Sequence, residues 1–314
     1  MLAFVSKRLR CNKAFLLKAI EICSHRSPHR SILKYASKML QDDDEFILAA
    51  IRGCFKEFKF ASPRLKSSEE FVLRAVEMSP PALSYSEFNG NQDFIIKAMR
   101  KNKEVLQYAT REVSLEIVYT YAWALQYVDK NLKTDREFIL TVVSRIGPRL
   151  ELAGTEMQAD ENIVLAAVGQ DGGALMYASG HLQATHKVVL TAVKNYGGAL
   201  QYADENLRKD PIIVLEAVQQ WGCALEFAHE SLQGLRPIAL AAIQQNPMAL
   251  QFAKNKLNDD EALVLTAVRI NGRALEYASI RLRGIRAVVQ EAVNQYPPAL
   301  QYASEELQVA FAQI

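Results

Sequence analysis

The sequence predicts an all-α fold, a right-handed-type α-solenoid of two-short-helix repeats with a period of 25 residues. Three observations carry that expectation: the dipeptide Ala-Leu returns at a fixed spacing, an aromatic residue follows it at a fixed offset, and a second apolar cluster precedes it at helical spacing. The dipeptide stands at Ala124-Leu125, Ala174-Leu175, Ala199-Leu200, Ala224-Leu225, Ala249-Leu250, Ala274-Leu275 and Ala299-Leu300, with Arg149-Leu150 filling the one gap. Three positions after the Ala come Tyr127, Tyr177, Tyr202, Phe227, Phe252, Tyr277 and Tyr302, with Leu152 the exception. A small residue follows, and eight positions after the Ala comes an aliphatic one, from Leu132 through Met157 and Leu182 to Leu307. Together these offsets trace one face of a helix.

The upstream cluster, for example Val188-Val189-Leu190-Thr191-Ala192-Val193, supplies the other helix of each unit. Its start is marked by Asp135, Asp160, Thr185, Asp210 and Asp260, whose side-chain oxygens can accept from the unpaired amides of a first turn. Its end is marked by Gly147, Gly172, Gly197, Gly222 and Gly272, expected as left-handed C-caps, or by Pro247 and Pro297, which cannot continue a helix.

The N-terminal third repeats this grammar less regularly. Ile32-Leu33 with Tyr35, Glu57-Phe58 with Phe60, Ala82-Leu83 with Tyr85 and Val105-Leu106 with Tyr108 are its motifs, and Asn12, Asp43, Ser68 and Asn91 are its caps. Six extra residues lengthen the loop around Cys23 to Arg30, and between Val105 and Ala124 the spacing shrinks to 19, predicting a shortened connection. The expected organisation is therefore degenerate repeats with basic first units over 1–113, continuous with regular repeats over 114–314. Leu2, Phe4 and Leu9 fit a leading fragment before about twelve full units. A 25-residue unit must order its chain at ~1.5 kcal/mol per residue, whereas each buried apolar side chain returns only ~1.5–3 kcal/mol. Stability must come from stacking unit on unit.

Composition narrows the function. Net charge is only +2, but residues 1–40 sum to +8 and the remainder to −6. Cys11, Cys23, Cys54 and Cys223 lack disulfide-framework spacing, which points to free thiols in a reducing compartment, the cytoplasm being the simplest. The start of the chain lacks a secretion signal, and no apolar run is long enough for a transmembrane segment.

The wording from Val189 to Leu207, Val-Leu-x-Ala-Val, then Gly, then Ala-Leu-x-Tyr-Ala, then Leu, resembles a helical repeat family known only as a domain of unknown function (a DUF repeat). That family is found in protists and in effector proteins of intracellular bacteria such as Legionella. The resemblance covers most of the chain. It implies a fold and, for a bacterial source, a translocated effector acting in the host cell cytosol. It carries over no catalytic residues, because the shared positions are core and cap positions.

The aromatic row can stack bases or grip a peptide, but its fixed place beside the Ala-Leu positions points to core. One position earlier, Gln126, Glu151, Met176, Gln201, Glu226, Gln251, Glu276 and Gln301 form a polar row suited to a partner-binding face, against the alternative of a solvated helix face of good helix formers. Lys7, Arg8, Arg10, Arg26 and Arg30 are candidate anion-binding residues for nucleic acid or an anionic lipid, against the alternative of a solvated basic end. Cys11, Cys23, His25 and His29 are zinc-type ligands without a zinc-type spacing, so no metal is expected. Asp42-Asp43-Asp44-Glu45 lacks the glycine and ligand spacing of a calcium loop and reads as helix capping. Gly172-Gly173 and Gly197-Gly198 follow helices rather than strands, which argues against phosphate cradles. His181, His186 and His229 have no partner at a recognised catalytic spacing.

The expectation is a non-catalytic protein–protein interaction scaffold without cofactors. Two alternatives stand beside it: nucleic-acid or anionic-membrane binding through the basic N-terminal repeats, and an enzyme whose site is assembled across repeats.

Overall fold

A computed structural model describes residues 7–26, 31–146 and 149–312. The chain forms two compact units, Met1–Phe138 and Ile139–Ile314, and no strand occurs among the described residues. Each unit is a stack of one local motif, giving the all-α repeat solenoid that the periodicity predicts.

In the second unit the motif begins with a ten-residue helix such as His186–Asn195, Pro211–Gln220 or Glu261–Ile270. These long helices start at the expected caps: Asp160 accepts from the Asn162 and Ile163 amides, Asp210 from Ile212 and Asp260 from Leu263. Thr185 occupies its cap position without capping; its hydroxyl donates back to the His181 carbonyl.

The helix stops on one extended residue, and six residues of 3₁₀ helix follow, as in Gly172–Tyr177, Gly197–Tyr202 and Gly222–Phe227. The predicted second helix is thus two pieces. The small residue after the aromatic is extended (Ala178 at φ −68°, ψ 151°), the next residue opens a new turn, and a four-residue helix such as Gly180–Gln183 completes the motif. Ser279 and His229 cap such short helices.

Gly172, Gly197, Gly222 and Gly272 are not left-handed caps, and Gly147 lies outside the described residues. They sit at the first 3₁₀ position because the next long helix passes directly over them. A Cβ on Gly172 would stand 3.0 Å from Tyr196 Cβ and closer still to the Ala192 carbonyl oxygen. The same overlap arises at Gly197, Gly222 and Gly272 with the repeat that follows each. The chain needs close approach there, not a positive φ.

That approach lets three kinds of contact join neighbouring repeats. Val188, Val189, Ala192, Val193, Ala199 and Leu200 are fully buried, as are their equivalents in the flanking repeats. Backbone amides at the start of short connectors donate to the end of the previous one: Asp204 to Gln183 O at 2.9 Å, His229 to Arg208 O at 2.9 Å and Ser279 to Asn258 O at 2.8 Å. Amide side chains at the ends of long helices bridge backward as well. Asn195 accepts from the Gly172 amide and donates to Gly169 O; Gln245 and Gln295 treat Gly222 and Gly272 in the same way.

The first unit keeps the pair of long helix and 3₁₀ helix, as in Asp44–Gly53 with Phe55–Phe60 and Glu69–Met78 with Pro80–Tyr85. Asn12, Asp43, Ser68 and Asn91 cap as expected. What varies is the connector. After Lys103–Tyr108 the chain passes through the cap residue Thr110 straight into Arg111–Thr120, so the six residues missing from the 19-residue spacing are the short helix itself. The Asp42–Glu45 cluster is spent on structure: Asp42 takes Ser62 and Arg64, Asp43 caps and pairs with Lys13, Asp44 takes Arg64, and Glu45 takes Arg74.

Candidate interaction edge

The 3₁₀ helices of each unit touch one another in order, so that side chains at equivalent positions form rows. In a 3₁₀ helix residues three apart eclipse, and one edge of every rung therefore faces outward. Gln126 in the first unit and Glu151, Gln201, Glu226, Gln251, Glu276 and Gln301 in the second are all exposed on that edge, together with Met176. Some of these side chains serve their own rung: Gln126 donates to Trp123 O and Gln201 to Gly198 O, each at about 3 Å. The aromatic row from Tyr127 to Tyr302 is half-buried throughout, lying between core and edge.

Nine positions after the motif Ala lies a residue that the sequence reading passed over. Gln233 donates to Leu225 O, Glu226 O and Ala228 O, and so closes the exposed end of its rung. Gln41, Gln158, Gln183 and Gln308 do likewise, and Lys66 and Lys133 reach the same carbonyls with an amine whose pKa burial pushes down. The recurrence of glutamine at one offset was the available signal.

The chain has two tryptophans: Trp123 lies on this edge three residues before Gln126, and Trp221 is half-buried at the extended residue that precedes its rung. Trp123, 38% exposed, meets Tyr121 at 6.1 Å and Tyr127 edge-on at 5.9 Å, with the Lys103 amine 5.1 Å from its ring. In the second unit the rings of Tyr196 and Trp221 are nearly parallel, 22° apart with centroids 6.2 Å apart, and Phe227 lies 6.1 Å further on. Tyr196, 42% exposed, lies over Gly198, where an added Cβ would come within 2.8 Å of its Cε1. Neither indole N–H donates to a protein acceptor among the described residues. Large rings with a free polar handle are the side chains that dominate binding energies at interfaces.

This geometry sits on a repeat that is itself diagnostic. Seven matches to the model of one family, described as a domain of unknown function (DUF4116), fall at residues 29–66, 43–89, 68–113, 110–158, 135–183, 187–233 and 236–283. The chain belongs to the DUF4116 family. No curated protein and no solved structure matches it. The DUF4116 matches cover the long helix, the 3₁₀ rung and the short helix alike, so the edge is part of the family's repeat.

The anion-binding candidates are only partly in view. Arg8 is exposed and Arg10 half-buried, whereas the side chains of Lys7 and Arg26, and all of Arg30, lie outside the described residues. So do the side chains of Cys23 and His25, and all of His29. No group of three or more metal-type ligands occurs among the described residues. None of their helices is long and apolar enough to cross a membrane.

At the last rung Leu300 is no longer fully covered, and with Pro298, Gln301 and Gln308 it lines an open groove of about 470 Å³.

Proposed function

We propose that this DUF4116 chain is a non-catalytic protein–protein interaction scaffold whose contact surface is the outward edge of its 3₁₀ rungs. One observation carries the reading: the whole Gln/Glu row is exposed on that edge with the exposed rings of Trp123 and Tyr196, while the core, caps and clamps are spent on stacking. Its test is a photo-crosslinking residue placed at Gln201 or Gln251 on the edge, and at Lys187 or Glu261 in the first turns of long helices. Edge positions should yield one shared protein adduct from native lysate and the helix positions none. Adducts from the helix positions alone would refute the reading.

A second reading has its own support in the first unit. There Lys34 and Lys59 occupy the rung position that Glu226 and Glu276 hold in the second, standing 6.0 Å and 5.6 Å from Tyr35 and Phe60. Cations interleaved with rings suit an anionic partner, nucleic acid or an anionic membrane. Affinity for a single-stranded oligonucleotide or a phosphatidylserine vesicle would then fall steeply with salt; binding that ignores salt would rule this out.

A further inference from the structure

In the first unit two neighbouring rungs place an amine among three rings. The long helix Arg111–Thr120 ends on Tyr121 and the 3₁₀ helix Ala122–Tyr127 follows at once, so Tyr121, Trp123 and Tyr127 come out close together. Trp123 and Tyr127 stand nearly at right angles, 82° apart with centroids 5.9 Å apart, and Tyr121 flanks the indole at 6.1 Å. The preceding rung, Lys103–Tyr108, is capped by Asn102, whose side chain accepts from the Glu104 amide and so fixes Lys103 at the first position. From there the Lys103 amine reaches over both rings of the next rung, 5.1 Å from the centre of Trp123 and 5.8 Å from that of Tyr127.

Stacking does not require this arrangement. In the second unit the Lys103 position is filled by Gly172, Gly197, Gly222, Pro247, Gly272 and Pro297, and no rung there has an aromatic residue at the Trp123 position. Lys103, Tyr121 and Trp123 are all exposed. Lys34 and Arg273 each stand over a single ring, whereas the Lys103 amine is shared by two. Ring faces set at right angles around one ammonium are the walls of an aromatic cage. Within it the amine makes no hydrogen bond and no ion pair among the described residues. A primary ammonium gives up water there without gaining an acceptor, so the cage favours a cation that has no N–H to satisfy. Its present occupant is a lysine side chain, which shows that the corner admits a four-carbon stem as well as a charged head.

We infer that the Tyr121–Trp123–Tyr127 corner binds the trimethylated ammonium of a lysine side chain on a partner protein, in exchange for Lys103. Lys103 is a resident competitor that the ligand must displace into solvent. This inference rests on the rung edge being the contact surface.

The experiment is fluorescence anisotropy of three labelled peptides of one sequence with the full chain, carrying at a single position trimethyl-lysine, lysine, or the neutral tert-butyl analogue of trimethyl-lysine. The trimethyl-lysine peptide should bind saturably, about tenfold tighter than either of the others, and Trp123→Ala should weaken it about tenfold. Lys103→Ala empties the cage and should tighten binding about threefold or more. Because Lys103 is exposed and touches only the rings, that variant keeps the test sound if Trp123→Ala disturbs folding, and loss of a merely structural contact would not raise affinity. No saturable binding at millimolar peptide, equal binding of the neutral analogue, or unchanged or weaker binding by Lys103→Ala would overturn the inference. So would phosphatidylcholine vesicles that bind the chain more tightly than the peptide does, since they would assign the cage to a lipid headgroup. If the peptides fail while the crosslinks at Gln201 and Gln251 persist, the scaffold reading stands and only the ligand class falls.

Discussion

The first unit, Met1–Phe138, carries 23 basic and 17 acidic side chains; the second, Ile139–Ile314, carries 14 and 18. The reversal from +6 to −4 reaches the same rung position of the same motif, lysine at 34 and 59 against glutamate at 226 and 276. The two units differ in regularity as well. Motif spacings in the second are all 25, whereas the first contains a 19-residue step in which the short helix is deleted. The pair of long helix and 3₁₀ rung survives every irregularity because it buries most of the core, while the connector, which adds one buried aliphatic such as Leu182 or Leu282, and the edge, which adds none, vary. One repeat thus separates what must be kept for stacking from what can be altered for recognition.

Because each unit holds one tryptophan, Trp123→Phe and Trp221→Phe backgrounds let fluorescence follow the two units individually during denaturant unfolding. The largest effect is expected at the close approaches of the second unit. Gly272→Ala would set a Cβ 2.9 Å from Tyr296 Cβ and against the Ala292 carbonyl, where backbone must yield, and should cost about 3 kcal/mol or more. Gly169→Ala, inside a long helix with nothing near its Cβ, should instead stabilise by about 0.5–1 kcal/mol. Equal responses would sink the account of these glycines in terms of backbone contact.

In the first unit the counterpart is Glu57, which occupies the motif Ala position and is buried. Its carboxylate accepts from the Ile32 and Leu33 amides, both at 2.8 Å, where the 3₁₀ helix Leu33–Tyr35 lacks the first turn found elsewhere. Glu57→Ala leaves two buried donors unpaired and should cost about 2–4 kcal/mol, seen by Trp123 and not by Trp221. Gln233→Ala, which frees carbonyls in the second unit, should cost about 1–2 kcal/mol and be seen by Trp221.

Acid sensitivity should separate the units more gently. Burial raises the Glu57 pKa above 4.5 against the pull of its two amide hydrogen bonds. The folded first unit then holds that proton more tightly than the unfolded chain, and its stability declines as pH rises from about 4.5 through the folded value. Hydrogen bonds from Ser279 and Arg281 hold Asp259 below 3.8, so its contribution is present above that value and is lost as pH falls through the folded one. Asp42, Asp43 and Asp135 of the first unit are lowered as well, so the reading is differential: unfolding midpoints between pH 3 and 7 should show Glu57→Gln and Asp259→Asn changing the slope of their own unit in opposite directions relative to the parent chain.

Much of this was legible in the residues. Periodicity placed the long helices, the cap residues at 43, 68, 91, 160, 210 and 260, and the exposed polar row. The glycines were misread because a sequence shows that a Cβ is missing, not whether a torsion or a neighbour requires its absence. The break in the second helix had a signal in the Ser, Asp or His after the small residue, as at Asp129, His229 and Ser279, but helical spacing of the apolar positions concealed it. Trp123 and Trp221 escaped notice because they interrupt the repeat, and an alignment on shared positions discards what is singular.

The most direct test of the edge as contact surface is hydrogen–deuterium exchange of the full chain with and without its crosslinked partner. The account predicts added protection at Gly197–Tyr202, Gly222–Phe227 and Pro247–Phe252, with the first turns of the long helices unchanged. Protection confined to those first turns, with the rungs exchanging as before, would contradict it.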